Sequence, residues 1–553
     1  MINTLPNPFY YLQNFHTVLE WVAARSGDLL NEDEQAFIER FPALPVASRA
    51  LLVRMIMRKG ELFRAGKLRY DEIGCTQTAA AALVAAGWIE DRPLLTLEQL
   101  FALSTKTEIA GFFDFPLPLR TARKADQLET LRAEPAHSEA RHFAAWGASA
   151  AEPVYRLRIA AWCDRLRLMF FGNLHQDWSE FVLSELGIFR YEKVELSPAS
   201  RGFHSRGDID DYLYLYQCRE RFRRGEPAGA VLQDIPSDAY RNDWLESRRA
   251  KLLFQIAQHY EQAGAGAAAD ALRLYADCTY PGARLRAIRI LERRGHGDAA
   301  FELADAAAGA PESEAERQQL LRIMPRLRRR LGRAGLPALP PTPVSRHDLT
   351  LDRPALPAAV EMLVRDHLTQ TGAPAHYVEN ALINSLFGLL CWEAIFAPVP
   401  GAFFHPFQTG PADLLSPEFR QRREPQLQAC LAQLDSDAYR HTITRNFTAK
   451  AGTQSPFVFW DLLDDALLAL ALDCLPPAHL RLWFERILLD IKSNRSGYPD
   501  LIQFWPAEKR YRMIEVKGPG DRLQDNQLRW LDYCARHGMP VTVCYVQWAE
   551  QAA

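Results

Sequence analysis

The sequence predicts a multidomain protein, mainly α-helical through its N-terminal and central regions and ending in an α/β domain. Three observations predict it. Between residues 151 and 335, Ala, Leu and Arg dominate and apolar residues recur three and four apart, the helical period. Pro337, Pro340, Pro341 and Pro343 then make a stiff break. Beyond it, residues 501–505 and 511–517 are rich in aromatic and branched side chains and flank a short polar turn containing Pro506, which reads as a β-hairpin.

Size and composition set the frame. A chain of 553 residues that is 48% hydrophobic can bury several cores and corresponds to about three to five domains. No run of about 18 apolar residues is free of charge, so no membrane span is expected. The first ten residues carry neither a basic segment nor a long apolar stretch, which argues against a secretory signal. Nine cysteines without a Cys-x-x-Cys pair read as reduced, mostly buried thiols of a cytoplasmic protein, with no zinc site. The net charge of -3 says little, because nucleic-acid binding needs a local basic surface, not a basic total.

In residues 1–92, a helix over 47–59 carries Arg54 and Arg58, and a strand over 63–73, an Ala-rich helix over 76–86 and a short strand at 87–89 follow. That order fits a winged-helix-like unit, a shape often used on DNA; a helical protein-interaction module with a solvated basic face fits as well. In residues 93–150, Thr96 caps a helix starting at 97, and a second helix near 124–131 follows a loop holding Arg120, Arg123 and Lys124. Residues 151–335 read as successive helices, over 154–186 and from 210 to 333. Their pairing suggests a TPR-like solenoid with a surface for protein partners, although the period is irregular. The arginines at 326, 328, 329, 330 and 333 make its end basic, with a solvated helix face as the plainer reading. Residues 336–350 are the Pro-rich linker, and 351–553 the last domain.

Within that domain, 376–396 is apolar nearly all round and reads as a buried helix with Glu379 near its start. Helices are expected over 461–474 and 477–491, with Arg481 on the second, and after the hairpin a helix over 521–536 and a strand over 540–546. A right-handed crossover would join the hairpin to that last strand. Strand alternation puts Glu515 and Lys517 on one face of the hairpin and Ile514 and Val516 on the other. An unpaired charge on a buried strand costs several kcal/mol or neutralises itself. Asp500, at the start of the partner strand, supplies a reason for the charges. Two adjacent carboxylates repel unless a divalent cation lies between them, and hard oxygen ligands suit Mg2+ or Mn2+. Asp500, Glu515 and the Val516 carbonyl would hold the metal, with Lys517 beside the water or the scissile phosphate. The plainer reading is an exposed Glu515–Lys517 ion pair, worth at most about 1 kcal/mol.

The run Pro499-Asp500-Leu501, Glu515-Val516-Lys517-Gly518-Pro519, Asp521-Arg522-Leu523 and Gln527 resembles the PD-(D/E)XK nuclease signature, and more narrowly the VRR-NUC domain of the Fanconi anaemia-associated nucleases. The resemblance implies a restriction-endonuclease-like fold for 351–553 and a SAP-like DNA-binding module for 93–150. It adds Glu379 as a further metal ligand, with Glu393 as a weaker candidate, and Gln527 as a residue that positions water or phosphate. One or two Mg2+ or Mn2+ ions would assist phosphodiester hydrolysis. The implied substrate is branched or flapped double-stranded DNA, incised near a 5' flap with 5'-to-3' exonuclease activity, in interstrand crosslink repair. Arg54, Arg58, Arg120, Arg123, Lys124, Arg481 and Arg522 are the candidate phosphate contacts. Animal members carry a ubiquitin-binding zinc finger, for which no cysteine pair is available here, so a compact bacterial member, cytoplasmic and nucleoid-associated on DNA, is expected. A Holliday-junction resolvase-like nuclease and a catalytically inactive DNA-binding helical scaffold are the rival readings.

Overall fold

The structure, a computed structural model, describes residues 7–147, 152–176, 189–335, 343–354 and 356–549. Pro337, Pro340 and Pro341 and residues 177–186 of the first central helical run lie outside the described residues. The chain divides into two compact units: residues 1–189 with 203–209, and residues 190–202 with 210–553.

In the first unit, helices Tyr10–Ser26, Glu32–Arg40, Val46–Ile56 and Thr76–Ala85 bury Phe15, Val18, Phe37, Phe41, Leu51, Leu52 and Leu83. Strands β1 (Leu62–Arg64) and β2 (Ile89–Asp91) follow the third and fourth of these helices. The expected strand over 63–73 ends at Arg64, because Ala65–Lys67 turns into a 3-10 helix. Next come β3 (Leu94–Leu95) and β4 (Arg141–His142), which pair antiparallel. They flank a small core of Leu95, Leu100, Phe101, Ile109, Leu131, Phe143 and Trp146. Four short helices build that module instead of two, and Thr96 and Thr105 each close a capping box with Gln99 and Glu108. Strand β5 (Val154–Leu157), expected to be helical, lies between β1 and β2 and pairs antiparallel with both. Val154 and Tyr155 are β-formers, and their burial together with Leu157 outweighs the helical period that follows.

The second unit begins with a helical array, including Asp243–Gln262, Ala268–Ala276, Ala283–Arg293, Gly297–Gly309 and Glu314–Arg330, packed in chain order on two apolar clusters. Its C-terminal part is built on a mixed five-stranded sheet of β6 (Ser345–Leu351), β7 (Ala375–Tyr377), β8 (Leu501–Trp505), β9 (Arg510–Lys517) and β10 (Val541–Trp548), in the order β6-β10-β9-β8-β7. Strands β8 and β9 are the predicted antiparallel hairpin, while β10 runs parallel to β9 and β6 parallel to β10. Helix Asp525–Arg536 is the crossover from β9 to β10. Residues 345–350, assigned to the linker, are instead edge strand: a parallel partner far along the chain supplies hydrogen bonds that local sequence does not advertise.

The two faces of the hairpin bury different cores. Leu501, Ile514 and Val516 join Leu349, Val364, Cys544 and Val546. Ile502, Phe504, Tyr511 and Met513 join a larger cluster under helices Leu382–Leu390, Asp465–Cys474, Pro477–Leu489 and Asp525–Arg536. Glu515 and Lys517 share the parity of Tyr511 and Met513, so both charges start from the more heavily covered face. All nine cysteines are free, and among the described residues no single helix is long and apolar enough to cross a membrane.

Candidate active site

The site begins where β8 begins. Gly497 takes a left-handed φ of +93°, and a Cβ there would lie 2.8 Å from Asn526, so only glycine lets the loop pass this close to helix Asp525–Arg536. Tyr498 stacks on Trp530 at 4.1 Å, and the Trp530 Nε1–H donates to the Ser496 carbonyl at 3.1 Å. These contacts deliver Asp500 to the hairpin, where its Oδ2 accepts the Val516 N–H at 2.7 Å. Val516 thus meets Asp500 through its N–H; the carbonyl ligand expected of it remains a proposal.

Glu515 is 0% exposed and Lys517 8%. The Lys517 Nζ sits 2.8 Å from Glu515 Oε1, yet neither carboxylate oxygen receives a well-directed hydrogen bond. The exposed-pair reading is therefore excluded. Burial pushes the Glu515 carboxyl up to about 8, reinforced by the Asp500 charge and opposed by Lys517. Burial likewise raises Asp500 to about 6; the Val516 N–H opposes this, and the charge of Glu379 adds to it. A buried carboxylate whose one partner is an ammonium without a directed hydrogen bond, beside a second raised carboxyl, is a poor ion pair and a good half-shell for a hard divalent cation. The residues fit such an ion.

The apolar run predicts Glu379 on a helix, and the structure places it outside one. Strand β7 pairs with β8 through Tyr377 and Leu501, and helix Leu382–Leu390 begins only after a turn. Glu379 lies in that turn, where its Oε2 accepts the Tyr377 hydroxyl at 2.6 Å and its Oε1 the Asn380 Nδ2–H at 3.1 Å. Among the described residues no three acidic, His or Cys side chains close into a complete ligand set, so Glu379 bears on the hairpin through its charge. Glu393 is exposed on the short helix Trp392–Ile395. Gln527 is on the expected helix, where its Oε1 accepts the Gln524 N–H at 2.8 Å and closes a capping box.

Two candidate phosphate contacts are already engaged within the chain. Arg54 donates to Glu72 at 3.1 and 2.6 Å and lies over the Tyr11 ring, and Arg481 donates to Asp435 at 2.6 Å and the Leu431 carbonyl at 3.1 Å. The Lys124 ammonium donates to the Ser104 carbonyl at 2.7 Å, and Arg58 reaches the Lys67 carbonyl at 3.3 Å. Arg120, Arg123 and Arg522 are exposed. Sequence reasoning missed Tyr377, the double role of Asn380, and Glu361, whose charge also raises Asp500. Asn380 alone left a trace: asparagine straight after a glutamate and before an apolar run is a turn signal.

Three family models match the chain: FAN1, HTH domain over residues 9–90; Fanconi anemia-associated nuclease SAP domain over 94–146; and VRR-NUC domain over 435–548. The chain is 57% identical to the Fanconi-associated nuclease 1 homolog of Pseudomonas aeruginosa, over 98% of its length and 97% of that protein. The chain belongs to the Fanconi-associated nuclease family. It is 24% identical to the family member of Arabidopsis thaliana, over 98% of this chain and 67% of that protein. It superposes on the crystal structure of paFAN1 bound to 2nt 5'flap DNA with gap with a TM-score of 0.88, at 56% identity, covering 99% of this chain and 100% of that one. As a Fanconi-associated nuclease it is a DNA-cleaving hydrolase that depends on a divalent metal, and the relationship places it with bacterial members. Asp500, Glu515, Lys517 and Gln527 fall inside the VRR-NUC match, whereas Glu379 precedes it.

Proposed function

We propose that this nuclease is structure-specific: it incises DNA near 5'-flap junctions and degrades 5' to 3', with Mg2+ or Mn2+, in interstrand crosslink repair. The observation that carries the site is Glu515, fully buried with both oxygens lacking a directed hydrogen bond, beside Asp500. The flap preference is supported by similarity over nearly the whole chain to paFAN1 solved on 5'-flap DNA with 2-nt and 1-nt flaps.

In this reading Asp500, Glu515 and Glu379 hold the ion or ions, with the Val516 carbonyl as a further oxygen. An ion held there would supply neutralisation of phosphodiester charge and a water of lowered pKa. Lys517, fixed against Glu515, orients the attacking water and meets the charge that develops on phosphate. Strand β9 and its apolar cover hold these groups rigid, so little reorganisation accompanies the reaction. Gln527, one turn into its helix, lies close enough in sequence to the hairpin to help place phosphate. Exposed Arg120, Arg123 and Arg522 are the cations best placed for backbone phosphates, with Arg58 and Lys124 less free. The helical array supplies a surface for protein partners, and the protein acts in the cytoplasm on the nucleoid.

The test is cleavage of end-labelled 5'-flap, 3'-flap, four-way junction and plain duplex DNA by the wild type and Asp500→Ala. Flap-selective cutting lost in the variant, with DNA still bound, is the expected result. Preferential cutting of four-way junctions would replace this reading with the resolvase one.

A further inference from the structure

Asn380 has a φ of +53°, in the left-handed region that residues with a Cβ rarely occupy and that asparagine tolerates best. Its side chain is used at both ends. Oδ1 accepts the Gly497 N–H at 2.7 Å and the Tyr498 N–H at 3.2 Å, while Nδ2 donates to Glu379 Oε1 at 3.1 Å. Its carbonyl accepts the Asn384 Nδ2–H at 2.6 Å, and Asn384 also donates to the Arg495 carbonyl at 2.8 Å. Two residues earlier, the Val378 N–H donates to the Asp500 carbonyl at 2.8 Å. The other oxygen of Glu379 takes the Tyr377 hydroxyl. One amide therefore bridges the Glu379 carboxylate to the loop that ends in Asp500, meeting it at Gly497, 117 residues along the chain from Asn380.

A turn alone would not need this side chain. Glycine adopts the same φ without strain, and a backbone turn is indifferent to which oxygen its neighbour's carboxylate presents. What asparagine adds is a fixed geometry between one carboxylate and the segment that carries another. We infer that Asn380, assisted by Tyr377, is a positioning residue that sets the placement of Glu379 relative to Asp500 and thereby the affinity of the site for a divalent cation. This rests on the reading of Glu379 and Asp500 as metal ligands. Groups of this kind, which orient ligands without touching the ion, are worth about 10–100-fold in metal affinity.

The test measures Mn2+ binding to the full chain directly, from the electron paramagnetic resonance of free Mn2+, beside flap cleavage as a function of Mn2+ concentration. Asn380→Gly keeps the turn and removes both arms of the bridge; Tyr377→Phe removes only the hydroxyl on Glu379. Both are expected to weaken Mn2+ binding by about 10-fold or more, with cleavage recovering toward wild type at saturating Mn2+ and the metal-free Tm of Tyr377→Phe unchanged. Glu379→Gln is the control for the underlying reading. If it weakens Mn2+ binding while Asn380→Gly and Tyr377→Phe bind as the wild type does, the positioning role is overturned and the ligand reading stands. If Glu379→Gln binds Mn2+ normally, the ligand reading itself falls and this inference with it. Should Asn380→Gly fail to fold, unchanged Mn2+ affinity in Tyr377→Phe overturns the inference.

Discussion

Glu316 in the helical array and Glu515 in the sheet are almost equally buried, 2% and 0% exposed, and each faces a cation, yet their surroundings differ in kind. Glu316 receives two donors from Arg284 at 2.7 and 2.6 Å and the Glu312 N–H at 2.5 Å, so both of its oxygens are satisfied from within the chain. Glu515 has one ammonium at 2.8 Å and no directed hydrogen bond. The first is a finished structural ion pair. The second has only the Lys517 ammonium inside the chain, which leaves its oxygens able to accept a cation. A buried carboxylate becomes a functional candidate through the lack of internal donors, because burial alone is shared by both.

The largest effect that would sharpen this contrast is on turnover. Glu515→Gln or Asp500→Asn should reduce flap cleavage by at least about 10²–10³-fold, the scale of losing one preorganised charge-stabilising group. The metal-free Tm should change little near pH 7, because the raised Glu515 carboxyl is largely protonated there and glutamine replaces a neutral group. A large fall in metal-free Tm would mean that Glu515 is a structural residue like Glu316.

The converse change belongs in the array. Glu316→Ala should cost about 3 kcal/mol of stability, at the lower edge for breaking a buried pair because Arg284 keeps 24% of its side chain exposed. Thermal unfolding would show it, and turnover per folded molecule should not change.

The pH dependence follows from the raised carboxyls. Asp500 and Glu515 rise from ordinary values of 3.8 and 4.5 to about 6 and about 8, so over that window the metal-free folded protein holds protons that the unfolded chain has released. Their contribution to stability is present below the ordinary carboxylate range and lost as pH rises through about 6 and then about 8. Metal-free Tm should therefore fall across this window, and Glu515→Gln should flatten the fall. Mn2+ affinity should rise over the same window, because the ion displaces protons.

The smallest effect separates free from engaged arginines. Arg522→Ala should lower the slope of log affinity for DNA against log salt by about 1, whereas Arg481→Ala, already paired with Asp435, should leave it unchanged and cost at most about 1 kcal/mol in stability.

Much of the site is legible in the primary structure because it is local. Alternation along 511–517 separates Glu515 and Lys517 from Ile514 and Val516, and a polar turn with Pro506 closes the hairpin, as β8 and β9 show. Thr96 announces its helix by the cap it forms with Gln99. The errors share one cause. Residues 376–396 are apolar enough to be helical throughout, but Tyr377 is drawn into an edge strand by Leu501, which moves Glu379 from helix to turn. Val154–Leu157 and Ser345–Leu351 become strands for the same reason, and Arg54 is engaged by a glutamate 18 residues away.

The sequence by itself determined the hairpin, its charged face, the helical period of the central region and the residues with the chemistry of a metal-dependent nuclease. These follow from side-chain alternation, caps and turns that act over a few residues. Only the tertiary structure decided that Glu515 is wholly buried and unsatisfied, that Glu379 sits on a turn held by Tyr377 and Asn380, and which arginines are already paired. Those depend on which distant segments pack together: burial sets the cost of a charge, and long-range partners decide whether that cost is met.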